Sequence, residues 1–253
     1  MTDSFESLLD AGASADVSGW DFSWLEGRAT EERPGWGYAR LLADRLSSAS
    51  ASLDIQTGGG EVLAEAKVFP PTAVATESWA PNVAKATGLL HPLGVVVVAD
   101  SDQSPLPFAD EAFDLVTSRH PASVWWEEIA RVLRPGGTYF AQHVGPGSAR
   151  ELVEFFLGPQ PVAQSGRDPG VEAAAAREAG LEVVDLRTAR LRIEIRDVAA
   201  VVYLLRKVVW WVPGFTVEKF RDRLRDFHEQ VKRDGPFVAH STRHLIEARR
   251  PLG

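Results

Sequence analysis

The sequence predicts an α/β fold in which a mostly parallel sheet is covered by helices on both faces. Short apolar, strand-like segments alternate with segments of helical spacing from residue 51 onward. One of them, residues 95–99, is a continuous β-branched run of the kind that is buried on both faces of a parallel sheet. Ligands of such sheets bind beyond the carboxyl ends of the strands, which is where polar residues fall in this chain.

Residues 1–50 contain no strand pattern. Their aromatic side chains, which include Trp20, Phe22, Trp24 and Trp36, predict an irregular lid. Apolar positions at helical spacing then predict a leading helix over residues 37–48.

The remaining elements follow in order. Strands are predicted from about residue 51 and over 72–76, 95–99, 113–118, 138–142, 181–195 and 237–247. Helices are predicted from residue 62 and over 78–90, 124–133, 149–157, 171–179, 198–212 and 215–232. This order divides the chain into an N-terminal lid and leading helix (1–50), a core (51–190 and 236–253) and a helical cap insertion (191–235).

Composition narrows the class of protein. The chain is 45% hydrophobic and 25% charged, which is ordinary for a globular domain. It has no cysteine, which excludes disulfides and thiolate metal sites. The polar, acidic start is unlike a signal peptide, and no apolar run is long enough to span a bilayer. We therefore expect a cytoplasmic protein with no membrane partner.

The net charge of −8 argues against nucleic acid as a partner. Residues 1–150 carry 20 acidic and 10 basic groups, whereas residues 151–253 carry 15 acidic and 17 basic groups. An acidic first half favours a cationic ligand over a polyanionic one.

A glycine-rich stretch is the first candidate ligand loop. Residues 53–61 read Leu-Asp-Ile-Gln-Thr-Gly-Gly-Gly-Glu, between a predicted strand and a predicted helix. Glycine can take positive φ and bring the backbone against a ligand, and the following helix would direct N–H groups at that ligand. Such clusters also occur as plain turns, so the downstream sequence decides between the two interpretations.

Four stretches together resemble the class I S-adenosylmethionine-dependent methyltransferases, and in particular the small-molecule branch with a Leu-Pro-Phe signature. They are residues 53–60, residues 74–77 ending in Glu77, residues 102–108 containing Leu106-Pro107-Phe108, followed by 113–116, and residues 128–137 ending in Pro-Gly-Gly. The resemblance covers about residues 50–145 and implies a Rossmann-like, seven-stranded sheet with a helical cap.

The resemblance also implies a cofactor, S-adenosyl-L-methionine, and the residues that hold it. Gly58 and Gly60 would face its amino-acid part, Glu77 its ribose hydroxyls and Asp102 its adenine, with Asp100 as a rival for the last role. Further contacts are implied for Asp54, Gln56, Thr57, Ser78, Gln103 and Ser118. The family usually has glycine where this chain has Gln56, which narrows the approach to the cofactor.

Other roles are predicted by position and chemistry. Arg28 in the lid is predicted to pair with the cofactor carboxylate, against the alternative of a solvated charge. His120, after the fourth core strand, is the first candidate for a general base and His143 the second, although isolated histidines are often structural. His240 and His244 are four residues apart, but no third ligand is apparent, so no metal site is predicted.

Three functions remain open on the sequence. The first is a methyltransferase acting on a small-molecule, apolar or aromatic acceptor, suggested by Trp210, Trp211 and Phe215. The second is an RNA base methyltransferase, suggested by 15 basic and 8 acidic groups in residues 187–253. The third is a non-catalytic nucleotide-binding homologue, which only Gln56 favours. The apolar segment 198–212 is in addition a candidate homodimer interface.

Overall fold

The structure is a computed structural model that describes residues 4–161 and 167–253. The described residues form two compact units. The first takes residues 4–33, 147–161 and 190–242, and the second takes 34–146, 167–189 and 243–253. The predicted lid is therefore divided: its start belongs to the first unit and its leading helix to the second.

Strands and helices alternate through the chain as predicted. The strands are β1 (Ala29–Glu31), β2 (Ala51–Ile55), β3 (Thr72–Glu77), β4 (Val96–Ala99), β5 (Phe113–Arg119), β6 (Leu133–Val144), β7 (Glu182–Ile195) and β8 (Phe237–Arg249). The helices are α1 (Phe5–Ser14), α2 (Tyr38–Ser48), α3 (Glu61–Ala64), α4 (Ala80–Leu90), α5 (Trp126–Val132), α6 (Arg150–Leu157), α7 (Pro169–Glu178), α8 (Val198–Lys207) and α9 (Arg221–Asp234).

The second unit contains β2 to β6 and the parts of β7 and β8 at residues 182–189 and 243–249. The strand order is β7-β8-β6-β5-β2-β3-β4. The pairs β3–β4, β2–β3, β2–β5 and β5–β6 are parallel, and β6–β8 is antiparallel. The mostly parallel α/β fold is confirmed. The described strands number eight rather than seven, because β1, which the sequence did not predict, pairs with the end of β7 in the first unit.

Helices cover both faces of this sheet, as expected. On β6, Tyr139 and Ala141 pack on one face in a cluster that includes Trp126 and Ile129 of α5. Phe140 lies on the opposite face in a cluster with Leu42 and Leu46 of α2, among others. The alternation follows from the two-residue period of a strand.

The prediction that residues 95–99 lie buried on both faces is wrong. β4 is the outermost strand of the sheet and pairs with β3 alone, and the side chain of Val96 is 55% exposed. A β-branched run reports strand propensity, but it does not fix the position of the strand in the sheet.

The first unit has its own apolar core. Leu9 of α1, Phe156 of α6, Val201 of α8 and Phe227 of α9 belong to one buried cluster. Nine of the ten residues of α8 are buried. The apolar run of α8 is therefore used inside the chain, which removes most of the surface on which a homodimer was predicted. No helix of the described residues combines the length and apolarity needed to cross a membrane.

Candidate cofactor and active site

The loop between β2 and α3 carries three residues at positive φ. Gln56 has φ 58°, Gly58 has φ 65° and Gly60 has φ 83°. A Cβ atom added to Gly60 would lie 2.9 Å from Leu90 Cδ1, so this glycine allows close packing on α4. A Cβ added to Gly58 would meet no atom within 4 Å. Gly58 is therefore the position where backbone faces open space. α3 itself has only four residues, so little N-terminal helix dipole is available.

Glu77, at the end of β3, is fixed by backbone N–H groups. Its Oε2 accepts a hydrogen bond from the Gly58 N–H at 2.8 Å. Its Oε1 accepts from the Ser78 and Trp79 N–H groups at 3.0 and 2.9 Å. The side chain is buried, and because Oε1 already accepts two hydrogen bonds, the free acceptor site is on Oε2. Glu77 thus ties the glycine loop to the carboxyl end of the neighbouring strand.

Asp102 lies beyond β4, with φ 56°. Burial raises the pKa of its carboxyl group, and the negative charges of Glu77 and Asp100 raise it further. The three carboxyl groups therefore sit near one another at the carboxyl ends of β3 and β4. A ligand that donates hydrogen bonds or carries positive charge would relieve their repulsion. Ser78 and Gln103, predicted as neighbours of this site, are exposed.

Asp54 occupies the interior of β2, directly opposite Thr117 of β5. It accepts a hydrogen bond from the Thr117 hydroxyl at 2.5 Å. The carboxyl group is only 7% exposed, and burial raises its pKa to about 6. Thr57, three residues after Asp54, is held through its backbone N–H, which donates to the Thr76 carbonyl at 2.9 Å.

The Gln56 side chain connects the glycine loop to the segment that follows β5. Its Oε1 accepts from the Ala122 N–H at 2.5 Å, and its Nε2 donates to the Ser123 carbonyl at 3.0 Å. Arg167 holds the same segment, because its Nη2 donates to the Pro121 and Ala122 carbonyls at 2.8 and 2.7 Å. The sequence did not predict this bridge.

The protonation of His120 is set by its neighbours. The Trp36 indole N–H can only donate, and it donates to Gln142 Oε1 at 2.8 Å. The Gln142 Nε2 must then donate to His120 Nε2, which lies 3.0 Å away. His120 therefore carries its proton on Nδ1. Burial lowers the pKa of His120 to about 2, and the nearby Arg119 charge adds to this effect. The imidazole is neutral and presents an N–H donor at Nδ1.

His143 is fully buried and both of its ring nitrogens have partners. Nδ1 lies 2.5 Å from Glu172 Oε2, and Nε2 lies 3.0 Å from the Tyr139 hydroxyl. Burial lowers the pKa of His143. The Tyr139 hydroxyl in turn lies 2.7 Å from Ser118 Oγ at the end of β5. In this conformation His143 offers no free nitrogen to a substrate, so its position does not suit the predicted role of a base.

Glu172 is a part of this arrangement that the sequence analysis missed. It is buried in the first turn of α7, where it also contacts His244 Nε2 at 2.6 Å. Hydrogen bonds from the two histidines hold the pKa of Glu172 at about 2, although burial opposes them. The available signal was weak: a single carboxylate among the alanines of a predicted helix.

Arg28 belongs to the first unit. Its Nη1 lies 2.7 Å from Asp197 Oδ2, and its guanidinium stacks 4.9 Å from the centre of the Trp24 ring. The charge of Arg28 is thus already partnered by a carboxylate of the same unit. Its predicted contact with a cofactor stays a prediction.

Comparison with known proteins gives the geometry a context. Residues 53–141 match the model of the methyltransferase domain family. This range begins in β2 and ends in β6, and it contains the glycine loop, Glu77, Asp102 and His120. No curated protein matches the chain significantly.

Solved structures show the same fold at low sequence identity. A provisionally assigned methyltransferase from Bacillus halodurans C-125 is 21% identical with a TM-score of 0.57, over 84% of this chain and 98% of that one. The [4+2]-cyclase SpnF is 18% identical with a TM-score of 0.52, over 89% and 87% of the two chains.

A third structure contains ligands. It is phosphoethanolamine N-methyltransferase 2 of Haemonchus contortus, in complex with phosphomonomethylethanolamine and S-adenosylhomocysteine. It is 17% identical with a TM-score of 0.52, over 99% of this chain and 61% of that one. The fold and the domain match agree with the four sequence stretches: residues 53–141 match a methyltransferase domain, and the chain shares its fold with solved methyltransferase structures.

Proposed function

We propose that the chain binds S-adenosyl-L-methionine and transfers its methyl group to a small-molecule acceptor. The observation that carries the proposal is the Glu77 carboxylate, which Gly58, Ser78 and Trp79 hold at the end of β3 through their backbone N–H groups. Oε2 of this fixed carboxylate keeps one free acceptor site, which suits a ligand that donates from a hydroxyl, such as a ribose.

The residues around Glu77 fit the remaining parts of the cofactor. Open space beside Gly58 allows the backbone to contact an amino-acid tail. Asp102, whose pKa is raised by burial and by its acidic neighbours, favours a hydrogen-bond donor such as an adenine amino group. The carboxylates of Glu77, Asp100 and Asp102 also create a negative field, which favours a sulfonium cation.

The bound cofactor supplies the methyl group, and the protein contributes mainly alignment. Holding two reactants in line can lower a barrier by roughly 7–11 kcal/mol, and no metal or covalent intermediate is required. In our proposal the neutral His120 orients the acceptor by donating from Nδ1, because Gln142 already occupies Nε2. This changes the predicted role of His120 from proton acceptor to hydrogen-bond donor.

The first unit, taken by itself, carries an exposed aromatic surface of the kind that binds apolar or aromatic molecules. Trp20 is 55% exposed, Phe22 38% and Trp210 60%. The ring centre of Trp20 lies 5.8 Å from that of Trp210 and 6.3 Å from that of Phe22. Exposed aromatic groups that touch one another are typical of surfaces that bind apolar ligands.

Gln56 favours the alternative of a nucleotide-binding homologue without turnover. Its side chain bridges from the glycine loop to Ala122 and Ser123, and so occupies one side of the loop that faces the proposed cofactor. The fold also hosts other chemistry, as the cyclase among the similar structures illustrates.

Calorimetric titration with S-adenosylmethionine and S-adenosylhomocysteine tests the proposal. We expect both to bind to wild-type protein and to bind at least tenfold more weakly to Glu77→Gln, since hydrogen bonds to a charged group contribute about 1.5–3 kcal/mol. The control is Glu65→Gln, which removes the charge of an exposed glutamate that is not assigned to the cofactor. If neither ligand binds to wild-type protein, both the proposed cofactor and the proposed methyltransferase activity are refuted.

If the cofactor binds, a turnover assay distinguishes an enzyme from a nucleotide-binding homologue without turnover. The protein is incubated with methyl-labelled S-adenosylmethionine and a panel of aromatic, amine and phosphorylated small molecules. Label transfer to any member supports an enzyme and identifies the acceptor class. If the cofactor binds but no label is transferred to any member of the panel or to bulk RNA, the result favours the homologue without turnover.

A further inference from the structure

Two strands and a helix of the second unit bring three ligand-type side chains together. His143 of β6 and His244 of β8 are register partners in an antiparallel pair, so their side chains leave the sheet on the same face. Glu172 approaches from the first turn of α7. The exposed fractions of the three side chains are 0%, 0% and 4%. In the sequence, no third metal ligand was apparent beside His240 and His244. The fold places His143 and Glu172 next to His244.

Donor atoms of these residues converge on one point. Glu172 Oε2 lies 2.5 Å from His143 Nδ1 and 2.6 Å from His244 Nε2. One donor atom from each of the three residues falls within 4.8 Å of the other two. Among the described residues, this is the one group of three histidine, aspartate or glutamate side chains placed in this way.

The protons that now join these atoms can move elsewhere. His143 can carry its proton on Nε2 and donate it to Tyr139, whose hydroxyl can then donate to Ser118 Oγ, because either oxygen of that pair can be the donor. His244 Nδ1 is buried and has no hydrogen-bond partner, so it is free to take the proton that leaves Nε2. Both histidines can therefore turn a lone pair toward Glu172 without becoming charged.

We propose that His143 Nδ1, His244 Nε2 and the Glu172 carboxylate bind a divalent transition-metal ion of the zinc class. Two imidazoles and one carboxylate form a ligand set typical of zinc sites that keep one position open to water. Tyr139, at 3.0 Å from the other nitrogen of His143, orients that ligand from behind. The ion takes the place of the two hydrogen bonds that Glu172 Oε2 now accepts.

Coordination requires a small expansion of the group. Ligand atoms about 2.1 Å from a tetrahedral ion are about 3.4 Å apart, compared with the 2.5 and 2.6 Å now seen around Glu172. The site thus has two exclusive states, one held by protons and one by the metal ion. The proposal is independent of the cofactor, because none of the three metal ligands is a residue assigned to S-adenosylmethionine.

Metal content tests the proposal directly. The untagged 253-residue chain is produced with zinc in the medium and dialysed, and its metal content is measured by elemental mass spectrometry. We expect about one zinc per chain, and at least a tenfold loss of zinc affinity in Glu172→Gln and in His244→Asn, since a lost ligand or ligand partner costs 10–100-fold. The exposed His91 gives the control, His91→Asn, which should keep the ion.

A second measurement uses wild-type protein alone, so its result does not depend on whether the variants fold. Chelator-treated wild-type protein is titrated with Co²⁺, whose visible absorption reports nitrogen and oxygen coordination, since the chain has no cysteine. Saturation at one equivalent, reversed by zinc, supports the site. Wild-type protein without zinc and without cobalt absorption would overturn it, as would full zinc retention in both Glu172→Gln and His244→Asn.

Discussion

Asp54 provides a sharp test of the electrostatics at the glycine loop, through the substitution Asp54→Asn. The carboxyl group is 7% exposed, and burial raises its pKa from 3.8 to about 6. A raised pKa means that the folded state binds the proton more tightly than the unfolded chain does. This contribution favours folding at low pH and is lost as pH rises from about 4 through 6. A shift of this size corresponds to about 3 kcal/mol.

The substitution removes this titration. Asparagine keeps an oxygen that can accept the Thr117 hydroxyl, and it carries no charge at pH 7. We therefore expect Asp54→Asn to gain about 2 kcal/mol of unfolding free energy relative to wild type between pH 4 and pH 7. Urea denaturation followed by circular dichroism at pH 4, 5, 6 and 7 measures the two free energies. Comparing the change with pH cancels the effects of the new amide group, which are the same at every pH.

Asp114 is a matched control with the opposite sign. The backbone N–H groups of Ser50 and Ala51 donate to its carboxylate, as does the Ser50 hydroxyl. Together with Arg134 they lower its pKa, although burial opposes them. Its stabilising effect is therefore present above the unfolded pKa of 3.8 and lost as pH falls below it, so the difference in unfolding free energy between Asp114→Asn and wild type should stay nearly constant from pH 4 to pH 7. A pH-independent difference for Asp54→Asn would refute a raised pKa at Asp54.

Three further substitutions test the loop and the site. Gln56→Ala keeps the positive φ but loses two hydrogen bonds, so it should lower the unfolding free energy measured in urea by about 1–3 kcal/mol. Gln56→Gly loses the same bonds but also removes the backbone strain, so it should lower the unfolding free energy by less. Equal decreases in the two variants would show that position 56 is not strained. Glu77→Gln should leave the Ser78 and Trp79 N–H groups bonded but weaken S-adenosylhomocysteine binding tenfold or more by calorimetry, and unchanged affinity would exclude Glu77 from the cofactor site. His120→Gln should reduce turnover of the acceptor found by labelling without changing cofactor affinity, and full activity would remove His120 from the mechanism.

Local pattern was enough to predict the parts of the site that are close in sequence. The glycine loop, the acid that ends β3 and the alternation of strands with helices each leave a signal within a dozen residues. Parallel order then brings the ends of β2 and β3 together, so Glu77 could be expected near Gly58. The same strand order explains the 2.8 Å hydrogen bond from the Gly58 N–H to the Glu77 carboxylate.

Contacts between distant segments left no such signal. Glu172 is 29 residues from His143 and 72 from His244, and only the packing of α7 on the β6–β8 pair joins them. His143 was predicted as a base because it follows a core strand, but strand alternation turns it into the protein and Gln142 to the other side. The side on which a residue at a strand end points depends on register, which sequence spacing alone does not give.

Gln56 shows how a departure from a family pattern can leave the local fold intact. With φ 58°, Gln56 takes the left-handed conformation that glycine adopts without strain, at a cost of roughly 1–2 kcal/mol. Its two hydrogen bonds to Ala122 and Ser123 contribute about 0.5–1.5 kcal/mol each, which offsets that strain. The same bonds draw the side chain toward the segment after β5, and the space beside Gly58 stays open. The substitution therefore preserves the shape of the loop and closes one of its sides, so its effect should appear in ligand selectivity before it appears in folding.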